Sequence, residues 1–236
     1  MRVPALRAGW LTQTFLHWAY PPERVQRLLP EGLAVDTLDG AAWVSLTPFV
    51  MAGVRPPGSP AALPSFAETN LRTYVRDRDG RDGLWFLSLE VACPAMLAAR
   101  GLGVPYRLGR LAVSRHEASV LYTGVRRRGG PGYQVSVRPG GPLRPGPLDV
   151  WLTSRWRAYS RRFGVLWETP VEHEPWRLRG ARLDRAEETL TRAAGLPPPD
   201  AEPVVHFSDG VRGVRLGVPR PLRPGRGRGG EDGPPR

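Results

Sequence analysis

Short runs of alternating apolar and polar residues, separated by tight turns, recur along this chain, and that pattern most constrains its fold. Residues 33–50, LAVDTLDGAAWVSLTPFV, read as a hairpin about Asp39-Gly40, a dipeptide suited to a two-residue turn. Residues 68–77 and 84–91, ETNLRTYVRD and LWFLSLEV, read as a second hairpin joined through a Gly/Asp turn. LTQTFLHWAY, ending at Tyr20, reads as a strand. Further strands are expected over 107–138, with His116-Glu117 at one turn, and a last pair in VVHFSDGVRGVRLGV. Strands linked by short turns predict an antiparallel, barrel-like sheet.

Helices are few in this reading. ERVQRLL follows Pro21-Pro22 and stops at Pro30; CPAMLAAR has Pro94 near its start and Gly101 after its end. Residues 183–194 carry the strongest helical spacing, with Asp184 as a cap and Gly195 as the stop. The stretches 52–66 and PGGPLRPGP (139–147) read as loops, and 150–172 as aromatic-rich pieces with a turn near Gly164. One domain is expected over residues 1–218. Ten of the eighteen residues from Pro219 to Arg236 are Gly or Pro, which predicts a disordered tail.

Composition removes several function classes. Cys93 is the single cysteine, so disulfide frameworks, zinc ribbons and iron–sulfur clusters are excluded. No apolar run reaches the ~18 residues of a membrane span. The segment MRVPALRAGW lacks the apolar stretch of a signal peptide, and a cytoplasmic location without membrane association is expected. The chain has no lysine, so all 34 basic residues are arginine. It also has no isoleucine, and Asn70 is its one asparagine. Depletion of residues with AT-rich codons explains much of the net charge of +12 as base composition. The alternative is phosphate binding through Arg126-Arg127-Arg128 and the GRGRGG tail, which makes nucleic acid the weaker partner reading.

The segment 68–75 carries the most chemistry. Strand side chains alternate, so Glu68, Asn70, Arg72 and Tyr74 share one face. An ordinary half-exposed strand would turn that face to water. Inside a barrel it would line a pocket for a small anionic or carbonyl-bearing molecule. Glu68 and Arg72 stand about 13 Å apart along such a strand, too far for an ion pair but suited to opposite ends of a ligand. Glu68 then serves as acid/base, Asn70 orients the ligand and Arg72 binds a carboxylate or enolate oxygen. His17 is a second candidate base that needs a carboxylate partner; Trp18 and Tyr106 are wall candidates. His17, His116, His173 and His206 show no metal-ligand spacing, and no nucleophile elbow, P-loop or dinucleotide fingerprint is present, so neither metal nor cofactor is expected. Self-association stays open.

Several pieces fall in a recognisable order: FLHWAY (15–20), LPEGLAVDTLDGAAWVSLTPFVM (29–51), ETNLRTYV (68–75), GLWFLSLE (83–90), VPY (104–106), WLTSRWRAY (151–159), HEPW (173–176) and FSDGVRGVRLGVPRPL (207–222). Over about residues 8–222 the chain resembles the bacterial family called domain of unknown function 2071, or YqjF-like. That family is grouped with the acetoacetate-decarboxylase-like superfamily. The resemblance implies a mainly β, α+β fold, a cone-shaped antiparallel β-barrel with flanking helices and polar groups in its interior. It does not carry over the decarboxylase mechanism. Those enzymes form a Schiff base on a lysine amine, and arginine is no substitute because its guanidinium stays protonated. The expected function is therefore a lysine-independent lyase or hydrolase, or a non-catalytic binder or sensor.

Overall fold

The computed structural model describes residues 4–55 and 58–222. In chain order the first half comprises β1 (Leu6–Tyr20), α1 (Pro22–Gln26), β2 (Leu33–Val35), β3 (Thr37–Leu38), β4 (Ala41–Arg55), β5 (Phe66–Asp77) and β6 (Asp82–Val91). A 3-10 helix over Pro94–Leu102 leads into β7 (Tyr106–Arg115), β8 (Val120–Arg126) and β9 (Gly132–Pro142). There follow α2 (Pro147–Thr153), β10 (Arg157–Arg162), β11 (Val165–Glu172), β12 (Arg179–Glu188), α3 (Leu190–Ala193), β13 (Val204–Leu216) and β14 (Arg220–Pro221).

The described strands form one sheet that closes on itself. Its order runs β6-β7-β8-β9-β12-β13-β1-β4-β5, and β5 pairs back with β6. A second, shorter route forks from β6 through β10 and β11 to β13. Two long strands make the fork possible. Leu89–Val91 of β6 pair with β7, whereas Leu84 and Trp85 pair with β10. Likewise Phe207 and His206 of β13 pair with β12, whereas Leu216 and Arg215 pair with β11. The mainly β class with few helices agrees with the sequence reading. The pairings of the described strands are antiparallel, as expected, apart from the joints of β6 with β7 and β10, which are parallel. Parallel neighbours need a long connection, and residues 92–105 supply one that contains the 3-10 helix.

The Asp39-Gly40 turn forms as read, with both residues at positive φ and Leu38 opposite Ala41. The second hairpin forms too, with Glu68 opposite Val91 and Tyr74 opposite Leu84. Four expectations are corrected. The helix expected over 183–194 is mostly strand: Leu183 lies opposite Val137 and Glu187 opposite Gln134, and only Leu190–Ala193 is helical. Pairing with β9 outweighs the helical spacing, and Asp184 accepts from Arg138 at 2.8 Å instead of capping. The last strand pair is one strand, β13. The segment 52–66 is strand as far as Arg55, and Pro147–Thr153 is helical, its N-terminus closed by the Gly146 N–H donating to Asp149 at 2.7 Å. Most of the segment read as a disordered tail, residues 223–236, lies outside the described residues, while Arg220–Pro221 pairs with β11.

The largest apolar core joins Leu16, Trp18, Val44, Leu46, Leu71, Tyr122, Val135 and Phe207. A second gathers Phe49, Met51, Val54, Phe66, Leu89, Tyr106 and Val211. β5 is buried on both faces. Leu71 and its neighbours pack into the main core, and the face carrying Glu68, Asn70 and Arg72 turns to the interior space between the two routes of the sheet.

Candidate functional site

That space is a cavity of about 590 Å³. Glu68, Asn70 and Arg72 line it from β5, Gln13 and Trp10 from β1, Thr47 and Phe49 from β4, and Tyr106 from the start of β7. Arg155, His173 and Trp176 close it from the segments around β10 and β11. Three of the sequence candidates on β5 and Tyr106 are thus brought together.

Glu68 is 3% exposed, and the Tyr106 hydroxyl donates to its Oε2 at 3.2 Å. Burial raises its carboxyl pKa to about 8, because desolvation penalises the anion more than the single Tyr106 bond stabilises it. Burial and the neighbouring Glu68 push the Tyr106 hydroxyl well above its ordinary value, so it stays a donor. At neutral pH the pair is a neutral carboxylic acid held by a phenol. Its Oε1 makes no hydrogen bond to a described residue.

Arg72 sits two strand positions beyond Asn70. It is 9% exposed, forms no ion pair with a carboxylate among the described residues, and its Nε has no hydrogen-bond partner. Its guanidinium lies 5.6 Å from the Phe15 ring centre. Burial lowers its pKa, although the adjacent Tyr74 hydroxyl works the other way. Asn70 Oδ1 is also buried without a partner. Two unsatisfied polar atoms on successive positions of one strand face mark the part of the cavity suited to a polar ligand.

The other candidates lie behind this wall. Tyr74 shares the β5 face but is fully buried beneath Trp151, whose ring centre is 4.7 Å away. It donates to the Leu152 carbonyl at 2.7 Å and meets Ser45 Oγ at 2.8 Å. His17 Nδ1 lies 2.6 Å from Ser45 Oγ and 3.2 Å from the Tyr74 hydroxyl. Burial, and then the neighbouring His206 and Arg72, hold the His17 pKa well below its ordinary value, so its imidazole is neutral. Among the described residues no carboxylate partners His17; a His–carboxylate contact is made instead by His206 Nε2 and Asp149 Oδ1 at 2.8 Å. Trp18 faces away from the cavity into the main core.

Sequence reasoning missed several lining residues. Arg155 is buried and bridges Asp36 and Asp82, each at 2.9 Å, with its guanidinium 4.3 Å from the Trp151 ring centre. Trp10, His173 and Trp176 form an aromatic cluster, Trp10 stacked on Trp176 at 6.1 Å and His173 5.0 Å from Trp176. Arg155 lies in WLTSRWRAY and His173 and Trp176 in HEPW, but only the tertiary fold shows that these pieces meet β5. In the Arg126–Arg128 run, Arg126 is committed to Glu90, at 2.7 Å, and to Ser88. Among the described residues no group of three or more His, Cys, Asp or Glu is placed to hold a metal, and no helix is long and apolar enough to cross a membrane.

The comparisons agree with this architecture. The family model DUF2071, described as an uncharacterised conserved protein, matches residues 7–212. The uncharacterised protein YqjF of Bacillus subtilis (strain 168) is 31% identical over 212 residues, 86% of this chain and 87% of its own length. Among solved structures, an acetoacetate decarboxylase-like enzyme from Sphingomonas wittichii RW1 superposes with a TM-score of 0.64 at 19% identity, covering 93% of this chain and 94% of its own. The enduracididine biosynthesis enzyme MppR, complexed with pyruvate, gives 0.67 at 16% identity, covering 94% and 92%. These structures share the fold.

Proposed function

This chain belongs to the DUF2071 family, and on that footing we propose that its interior cavity takes a small anionic or carbonyl-bearing metabolite and acts on it as a lysine-independent lyase or hydrolase. The observation that carries this reading is Arg72, a buried guanidinium with an unpartnered Nε, lining the same cavity as a carboxylic acid with a pKa of about 8. A buried cation without a counter-ion is costly, and an anionic ligand relieves that cost. Arg72 takes a ligand carboxylate or enolate oxygen. Asn70 offers an amide to the adjacent oxygen. Glu68, protonated at neutral pH and oriented by Tyr106, gives a proton to a developing enolate or alkoxide and recovers it from the product or water. No side chain can form a Schiff base, because the sequence has no lysine. That one fold neighbour was solved with pyruvate makes 2-oxo acids the first compounds to try.

The test is a thermal-shift series with pyruvate, other 2-oxo acids and simple carboxylates on the wild type, Glu68→Gln and Arg72→Met. A ligand at 100 times its Kd adds about 2.7 kcal/mol of stability. Stabilisation of the wild type that is lost in Arg72→Met supports the reading, and turnover lost in Glu68→Gln assigns the proton transfer. Binding without turnover makes the protein a receptor for the same ligand class. Equal stabilisation of the wild type and Arg72→Met would overturn the site.

A further inference from the structure

The cavity has a direction, set by strand register. Its polar groups lie in order along β5: Arg72, opposite Ser45 on β4; Asn70, opposite Thr47; and Glu68, opposite Phe49. Beyond Glu68 the lining turns apolar. Met51 lies one further lining position along β4, opposite Phe66. Val54 follows and is tied to Leu63, whose N–H donates to the Val54 carbonyl at 2.9 Å. The 3-10 helix enters directly after β6 and places Met96 and Ala99 against the same cavity. Trp10, opposite Met51, completes this end.

Size points the same way. Taking the ~30 Å³ share of a liquid water as the scale of one non-hydrogen atom, 590 Å³ corresponds to about twenty such atoms. A three- or four-carbon oxo acid has about six or seven. Such an acid seated on Arg72 and Asn70 would leave the apolar end uncovered.

We propose that the ligand is an amphipathic acid, its carboxylate on Arg72 and an apolar acyl arm of six or more carbons running past Glu68 between Met51, Val54, Leu63 and the 3-10 helix. This rests on the reading of Arg72 and Glu68 above and adds the class of molecule. Glu68 lies four residues along β5 from Arg72, so it faces the arm and not the carbon next to the carboxylate.

Calorimetric titration with straight-chain 2-oxo carboxylates of three to eight carbons tests the arm. Burying one methylene strengthens binding about fourfold, so Kd should fall by about that factor per added carbon until the apolar end is filled. Ala99→Trp and, independently, Leu63→Trp should move the plateau to a shorter chain; circular dichroism and a cooperative melt establish that each is folded. A Kd independent of chain length, with Arg72→Met still abolishing binding, overturns the arm and leaves the anion site standing. Failure of every acid to bind the wild type overturns both.

Discussion

Arg72 and Arg155 reach the same cavity, yet only Arg155 is neutralised: it bridges Asp36 and Asp82 at 2.9 Å each, while Arg72 pairs with no carboxylate among the described residues. The same residue type therefore serves two purposes. Arg155 ties β10's approach to the loop before β3 and to the start of β6, and Arg72 is the cation on which the proposal above seats an anion. Substitution separates them. Arg155→Met removes one charge-assisted hydrogen bond each from Asp36 and Asp82, which keep Arg76 and Arg157 as partners, and should cost about 2 kcal/mol of stability. Arg72→Met removes an uncompensated buried charge and should leave the free protein as stable as wild type or more so. Chemical denaturation of the two variants measures the contrast, and a large loss in Arg72→Met would contradict it.

Glu68 predicts a pH signature. Its pKa is about 8 in the folded protein, above the ~4.3 of an unfolded glutamate. Between those values the unfolded chain has lost the proton that the folded chain keeps. The contribution is therefore fully present below about pH 4 and is lost as pH rises towards 8, with a slope of up to about 1.4 kcal/mol per pH unit. Glu68→Gln should lack that slope, so the variant gains on wild type between pH 5 and pH 8 in paired urea titrations. Parallel curves would mean that Glu68 is ionised in the fold.

His17 acts in the opposite sense. The folded imidazole stays neutral well below pH 6.5, whereas the unfolded one takes up a proton near that value. Stability linked to His17 is full above about pH 6.5 and falls as pH drops below it. His17→Gln should flatten that acid limb. Direct observation comes from the His17 ring protons by NMR, which should show no titration at the ordinary imidazole value near pH 6.5.

Gly210 lies opposite Leu11 of β1, next to Thr12, whose φ is 51°. Its own φ is 121°, and a Cβ there would lie 2.2 Å from the Trp10 carbonyl oxygen. Gly210→Ala should destabilise by about 2–3 kcal/mol or more, since neither backbone can move without breaking the β1–β13 pairing. Thermal melts of this variant beside Gly213→Ala, which meets only the Glu174 carboxylate at 2.9 Å, give the comparison.

Local pattern was enough for the mainly β class, the Asp39-Gly40 turn, the β5–β6 hairpin and the shared face of Glu68, Asn70 and Arg72, because turn chemistry and period-2 alternation act between near neighbours. The absence of lysine, the side-chain amine on which a Schiff base forms, is likewise a property of the sequence alone. What tertiary structure decided is which side of that face meets water. Closing β5 onto β6 and forking the sheet at β6 and β13 turned the polar face inward, raised the Glu68 pKa and left Arg72 without a carboxylate partner among the described residues. It also made residues 183–188 a strand, since pairing with β9 outweighed their helical spacing. Desolvation and pairing depend on partners tens of residues away, and no local pattern encodes how much water a side chain keeps.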